Sequence, residues 1–362
     1  MKQQSRKKNK KPLYFLSALL LFFAVFIYFL IRPSLQTTAI GQIQICSNTN
    51  DVKSIYERYK FELLESDEFG NKIVSKEFQD EVRKKLSTFN LTEEEILECI
   101  KWLPPAQTNL NVIIIPDLSR RISDSYNNPN QIENDKFVLN QIWKSFAEYS
   151  KFKQDTKDFL MIDVTDIDQA KGQFSNIANE LQFDLSEHKG KSNRLFFSKE
   201  KEKQFEDNII KLYDAAKQKP LGADYVFYFK RYLINHIKKP TLFENYLNKV
   251  IIITDGYLEP ETRAPYTKLT LGLYKSLSIG NTKELITNLN LNIPKTQIDL
   301  SNTDILVCEI NERHEGKAKD FEILKAYWED WLTRMNAHKI MFIQREQANQ
   351  LTKKRIQDFF KQ

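Results

Sequence analysis

The chain has 362 residues, 41% hydrophobic and 12% aromatic, enough for one large domain and a smaller one. Its net charge of +6 is local: Lys2, Arg6, Lys7, Lys8, Lys10 and Lys11 precede any acid, and the remainder carries 48 basic against 48 acidic residues. A formally neutral body excludes a general nucleic-acid binder, and nine glycines with neither a Gly-x-Gly-x-x-Gly nor a P-loop pattern argue against nucleotide binding.

Residues 1–11 read as a basic tail, and residues 12–32 as an apolar anchor. The stretch 12–31 has no charge, and 20 helical residues span about 30 Å, the thickness of a bilayer core. The basic tail before it predicts a single-pass membrane protein with a cytoplasmic N-terminus and a periplasmic or extracellular main domain. Residues 33–45 read as a polar linker. A small helical module is expected over 43–105, with helices near 51–65, 75–89 and 92–103. The last opens on the capping-box pattern Thr92-Glu93-Glu94-Glu95 and closes before Pro104-Pro105. Cys46 and Cys99 in this module could form a disulfide or stay free, and their spacing leaves both open. Cys308 lies in an apolar run and reads as a small buried hydrophobe. The four histidines are scattered, with no metal-ligand spacing.

From residue 107 onward, strands and helices alternate. Strands are expected at 111–116, 159–164, 194–198 (a short edge), 249–254, 304–310 and 339–344. Helices are expected near 131–150, 203–218, 224–237, 319–336 and 347–360. This alternation predicts an α/β domain: a doubly wound, mostly parallel six-stranded sheet with helices on both faces. Two apolar runs end alike. Val112-Ile113-Ile114-Ile115-Pro116 stops at Asp117, and Val250-Ile251-Ile252-Ile253-Thr254 stops at Asp255. Ligands of open parallel sheets bind beyond the carboxyl ends of the strands, so both carboxylates are delivered to the edge where a site is expected.

These strand ends resemble the von Willebrand factor A family, the domain also found as the integrin I domain, over residues 107–362. Its metal-ion-dependent adhesion site uses an Asp-x-Ser-x-Ser loop, a Gly-x-Thr loop and a Thr-Asp-Gly loop. Asp117 and Ser119 match the first loop, Thr254-Asp255-Gly256 matches the last, and Gly222-Ala223-Asp224 stands for the middle one. Arg121 replaces the second serine and Asp224 the threonine, so the site is degenerate. The resemblance implies Mg²⁺ held by Asp117, Ser119, Asp224 and Asp255, with oxygen ligands and retained waters. It also implies a protein partner engaged near Arg121 and Thr254. A guanidinium offers only donors and repels a cation, so a second arrangement pairs Arg121 with Asp224 or Asp255 in place of the metal. The leading expectation is a membrane-anchored binding module rather than an enzyme. The alternatives are a metal-dependent phosphoester hydrolase and a metal-free structural subunit of an envelope assembly.

Overall fold

In the computed structural model, residues 35–66, 72–104, 107–153, 156–241, 244–262, 264, 278, 280–311, 319–345 and 349–361 are described. Two compact units divide them, one holding 35–66 with 72–104 and the other starting at 107. The apolar run 12–32 and the tail 1–11 lie outside the described residues. Among those that are described, no helix is long and apolar enough to cross a membrane. The expected single-pass topology and external main domain are therefore withdrawn.

The first unit is not purely helical. It runs α1 (Leu35–Gln44), α2 (Thr49–Leu63), β1 (Leu64–Ser66), β2 (Lys72–Val74), α3 (Lys76–Ser87) and α4 (Glu93–Cys99). The stretch expected as a linker is thus partly α1, and β1 and β2 form an antiparallel pair. The capping box forms as expected: Thr92 Oγ1 accepts from the Glu95 amide and Glu95 accepts from the Thr92 amide. Cys46 and Cys99 are free thiols.

The second unit opens on β3 (Asn109–Pro116), a 3₁₀ turn (Arg120–Ile122) and α5 (Gln131–Ser150). Next come β4 (Phe159–Ile162), α6 (Ile167–Lys171), β5 (Gln182–Asp184) and α7 (Gly190–Gln218). A short helical stretch follows, α8 (Tyr225–Tyr228), a π turn (Phe229–Leu233) and α9 (Ile234–His236). The chain then runs β6 (Tyr246–Ile253), α10 (Thr282–Asn288), β7 (Thr303–Ile310), α11 (Lys319–Thr333), β8 (Lys339–Gln344) and α12 (Asn349–Lys361).

The sheet order is β5-β4-β3-β6-β7-β8. It is mixed: β5 runs antiparallel to β4 and the other neighbours are parallel. The edge strand expected at 194–198 is instead the first turns of α7. Its apolar run misleads because Phe196 is 70% exposed, while Arg194, Phe197, Ser198, Phe205, Asn208, Ile209, Leu212 and Tyr213 are buried at helical spacing.

Every residue of β3 is buried. Successive side chains of a strand point to opposite faces, and here they feed two cores. Val112 and Ile114 pack with α5, α7 and α12, while Ile113 and Ile115 pack with the α8 region and α11. A strand covered on both faces reads as an unbroken apolar run, which is why β3 and β6 stand out in the sequence.

Buried ion clusters pin the amino edge of the sheet. Asp158 accepts from the Leu110 amide, Lys153, Thr156 and Arg194. Burial would raise its carboxyl, but Lys153 and Arg194 outweigh that and hold it below its ordinary value. Lys249 donates to Asp304 at 2.9 Å and to the Phe359 carbonyl at 2.8 Å.

Candidate functional site

The loops that follow β3 and β6 and the turn before α8 meet at the carboxyl edge. The Asp117 amide donates to the Ile253 carbonyl at 2.8 Å, extending the β3–β6 ladder by one step. Asp117 Oδ1 then accepts from the Ser119 amide at 3.0 Å, and Oδ2 accepts from Thr254 Oγ1 at 2.9 Å. The Gly256 amide donates to Thr254 Oγ1 at 3.1 Å, and Trp328 Nε1 holds the Gly256 carbonyl at 3.0 Å. Gly256 has φ +97°, a region that favours glycine. A side chain at Gly222 would bring its Cβ within 2.8 Å of the Ser119 nitrogen, so only glycine lets these two loops touch.

Arg121 turns inward, and its side chain is 0% exposed. Its partners are neither Asp224 nor Asp255. Nη2 donates to Asp135 Oδ2 at 2.7 Å and to the Ile253 carbonyl at 3.1 Å, and Nε donates to the Asp117 carbonyl at 2.9 Å. Asp117 Oδ2 lies 3.5 Å from Nε. Burial would lower the guanidinium, but Asp135 and Asp117 outweigh it and hold Arg121 above its ordinary value. Asp135, on α5, also accepts from Gln131 at 2.7 Å and from Tyr213 at 2.9 Å. Burial pushes the Tyr213 and Tyr225 hydroxyls well up, so both serve as neutral donors.

Asp117, Ser119, Asp224, Thr254 and Asp255 are all buried at this edge. Asp224 caps α8 by accepting from the Phe227 amide, and Asp255 accepts from the Tyr257 amide at 3.3 Å. Both Asp117 oxygens already accept hydrogen bonds, and the Arg121 charge lies beside one of them. Among the described residues, no three His, Cys, Asp or Glu side chains gather as a metal site. In this arrangement the donor set does not fit Mg²⁺. Arg121 and Thr254, expected to face a partner, are buried beneath the loops.

Sequence reading missed several members of the site. Asp135 could have been found, because it sits on the core-facing stripe with Ile132, Val138, Leu139 and Ile142, where a carboxylate needs a buried cation. Glu261 gave no signal. One of its oxygens accepts from the Arg120 amide at 2.7 Å and the other from the Gly222 amide at 3.1 Å. Burial raises this carboxyl above its ordinary range, against the pull of the Arg120 amide. Glu309, at the bulged end of β7, has φ 67° and 3% exposure, and its Oε2 has no hydrogen-bond partner among the described residues. Beyond β4, Asp163 Oδ2 accepts from Tyr228 at 2.7 Å and lies 3.1 Å from His236 Nε2.

Comparison with protein-family models, curated proteins and solved structures gives no match. The resemblance to the von Willebrand factor A family therefore rests on the three loops alone.

Proposed function

We propose that the second unit is a binding module that engages a protein partner through the loops at the carboxyl edge of its sheet, without a bridging metal. The observation that carries this reading is Glu261. Its carboxylate lies across two amides from different loops, Arg120 and Gly222, beside Asp117. The rim thus already receives a carboxylate, and an aspartate or glutamate of a partner has the same chemistry. Beneath the rim, the Arg121 guanidinium lies between the Asp117 and Asp135 carboxylates and ties the support together. A hydrolase is less well supported, since among the described residues no hydroxyl or thiol is hydrogen-bonded to a histidine ring.

A photo-crosslinking side chain at exposed Arg120 is expected to capture a partner, whereas one at exposed Lys211 on α7 is expected to stay bare. Equal capture at both positions would sink the reading. So would turnover of p-nitrophenyl phosphate that Asp117→Asn abolishes.

A further inference from the structure

A groove of about 520 Å³ runs between α5 and α12, away from the Asp117 loops. Its walls are two helical stripes, one from Gln141 to Phe152 and the other from Lys353 to Lys361, each stepping by three or four residues. Aromatic side chains line it: Phe360 is 2% exposed and Phe152 is 41% exposed. Lysines form the rim. Lys144, Lys353 and Lys361 are exposed and have no ion-pair partner among the described residues. Many other lysines of the chain pair locally, for example Lys136 with Glu133 and Lys203 with Asp207. The one acid in the groove, Glu148, is already taken by Lys151 at 2.5 Å. Lys151 and Lys191 also lie over the Phe152 ring, at 4.7 and 4.8 Å from its centre.

We propose that this groove docks an acidic segment of a partner protein, with at least two carboxylates and one apolar side chain. The charge argument selects the sign, because three unpaired cations face a trough with no free acid. Their spread selects an extended ligand over a single head group. Lys353 and Lys361 are eight residues apart, about 12 Å along a helix, too far for one carboxylate to meet both. Phe152, the exposed aromatic side chain of the lining, offers an apolar contact beside the charges. The chain's own N-terminal tail is excluded on charge, since residues 1–11 are basic without an acid. This proposal is independent of the reading of the Asp117 loops.

The test is selection of a displayed random-heptapeptide library on the full chain. Expected is enrichment of peptides that combine several Asp or Glu with an aromatic residue. The combined variant Lys144→Glu, Lys353→Glu and Lys361→Glu should weaken the best peptide by about tenfold or more. Phe152→Ser should weaken it through the apolar contact. All four positions are partly or fully exposed, and an unchanged unfolding midpoint checks that each variant folds. Three results would overturn the proposal: no enrichment, enrichment of neutral or basic peptides, or an affinity that charge reversal leaves unchanged. A concentration-dependent dimer that the same variant dissolves would assign the groove to a second copy and equally reject the partner.

Discussion

A buried guanidinium is costly unless its donors find acceptors. Arg121 meets that demand with Asp135, the Asp117 carbonyl and the Ile253 carbonyl. Removing it strands Asp135 in the core, so Arg121→Ala is expected to cost about 3–5 kcal/mol in urea unfolding. Replacing Arg121 and Asp135 together by leucine should recover part of that loss, since Asp135 is then no longer stranded while buried Asp117 still lacks its neighbouring cation. An unmoved midpoint in the single variant would show that the pair does not hold the loop. Glu309 makes a prediction of another kind. Burial, reinforced by Asp135 and opposed by Arg345 and Arg121, pushes its carboxyl up to about 7. A folded value raised above the unfolded one favours the protonated form in the native state. The resulting stability is fully present below the ordinary glutamate value near 4.5, and it is lost as pH rises through about 7. The loss is on the order of 3 kcal/mol. Glu309→Gln should flatten that part of the pH–stability curve and leave the variant more stable than the wild type at pH 8. Parallel curves for the two proteins would refute the assignment.

Helix α7 provides a register test among the elements. Phe196 points to solvent and Phe205 is fully buried. Phe196→Ser is therefore expected to change stability by no more than about 0.5 kcal/mol, and Phe205→Ala to cost about 3–5 kcal/mol. A strand at 194–198 would not give that contrast. The Gly222 turn is as demanding. Gly222→Ala forces a Cβ against the Ser119 backbone, and a backbone clash costs about 1–3 kcal/mol. The same change should shift the Arg120 amide resonance, because it moves the loop that shares Glu261. Elements were legible where one period dominated. β3 and β6 announce themselves as uninterrupted β-branched runs, and the Asp117 and Asp255 strand ends follow from them. Leu195-Phe196-Phe197 misleads because three adjacent apolar residues do not distinguish a strand from a helix, and here Leu195 and Phe196 are exposed while Phe197 is buried. β5 offers only Gln182-Phe183-Asp184, too short for any period to register. Within the site, Arg121 reads from its guanidinium alone as a misfit for a cation. Its partner came from a helix 14 residues onward, Asp135, and such pairings depend on how α5 lies on the sheet. Glu261 and Glu309 are held by backbone geometry, which leaves no mark in side-chain pattern.

Among the described residues of the second unit, the buried charges gather toward the two edges of the sheet, and apolar side chains pack both of its faces. At the amino edge, Asp158 and Lys249 anchor strands to helices. At the carboxyl edge, Arg121 already puts a positive charge 3.5 Å from Asp117 Oδ2, the carboxylate a metal would need. Mg²⁺ or Mn²⁺ is therefore expected to leave the thermal midpoint of the full chain unchanged. A ligand bound only by the folded state must raise it, so a metal-dependent rise abolished by Asp117→Ala would restore the metal-bridged mechanism.

The outermost strands differ in length. β5 has three residues and β8 has six. An open strand edge is a template on which a second sheet can grow. β5 presents too few amides and carbonyls to nucleate such growth, which leaves β8 as the usable margin among the described strands. A sheet with one usable margin can join a twin edge to edge and must then stop, because a fibre needs two. Misassembly through the sheet would accordingly end at pairs rather than polymers.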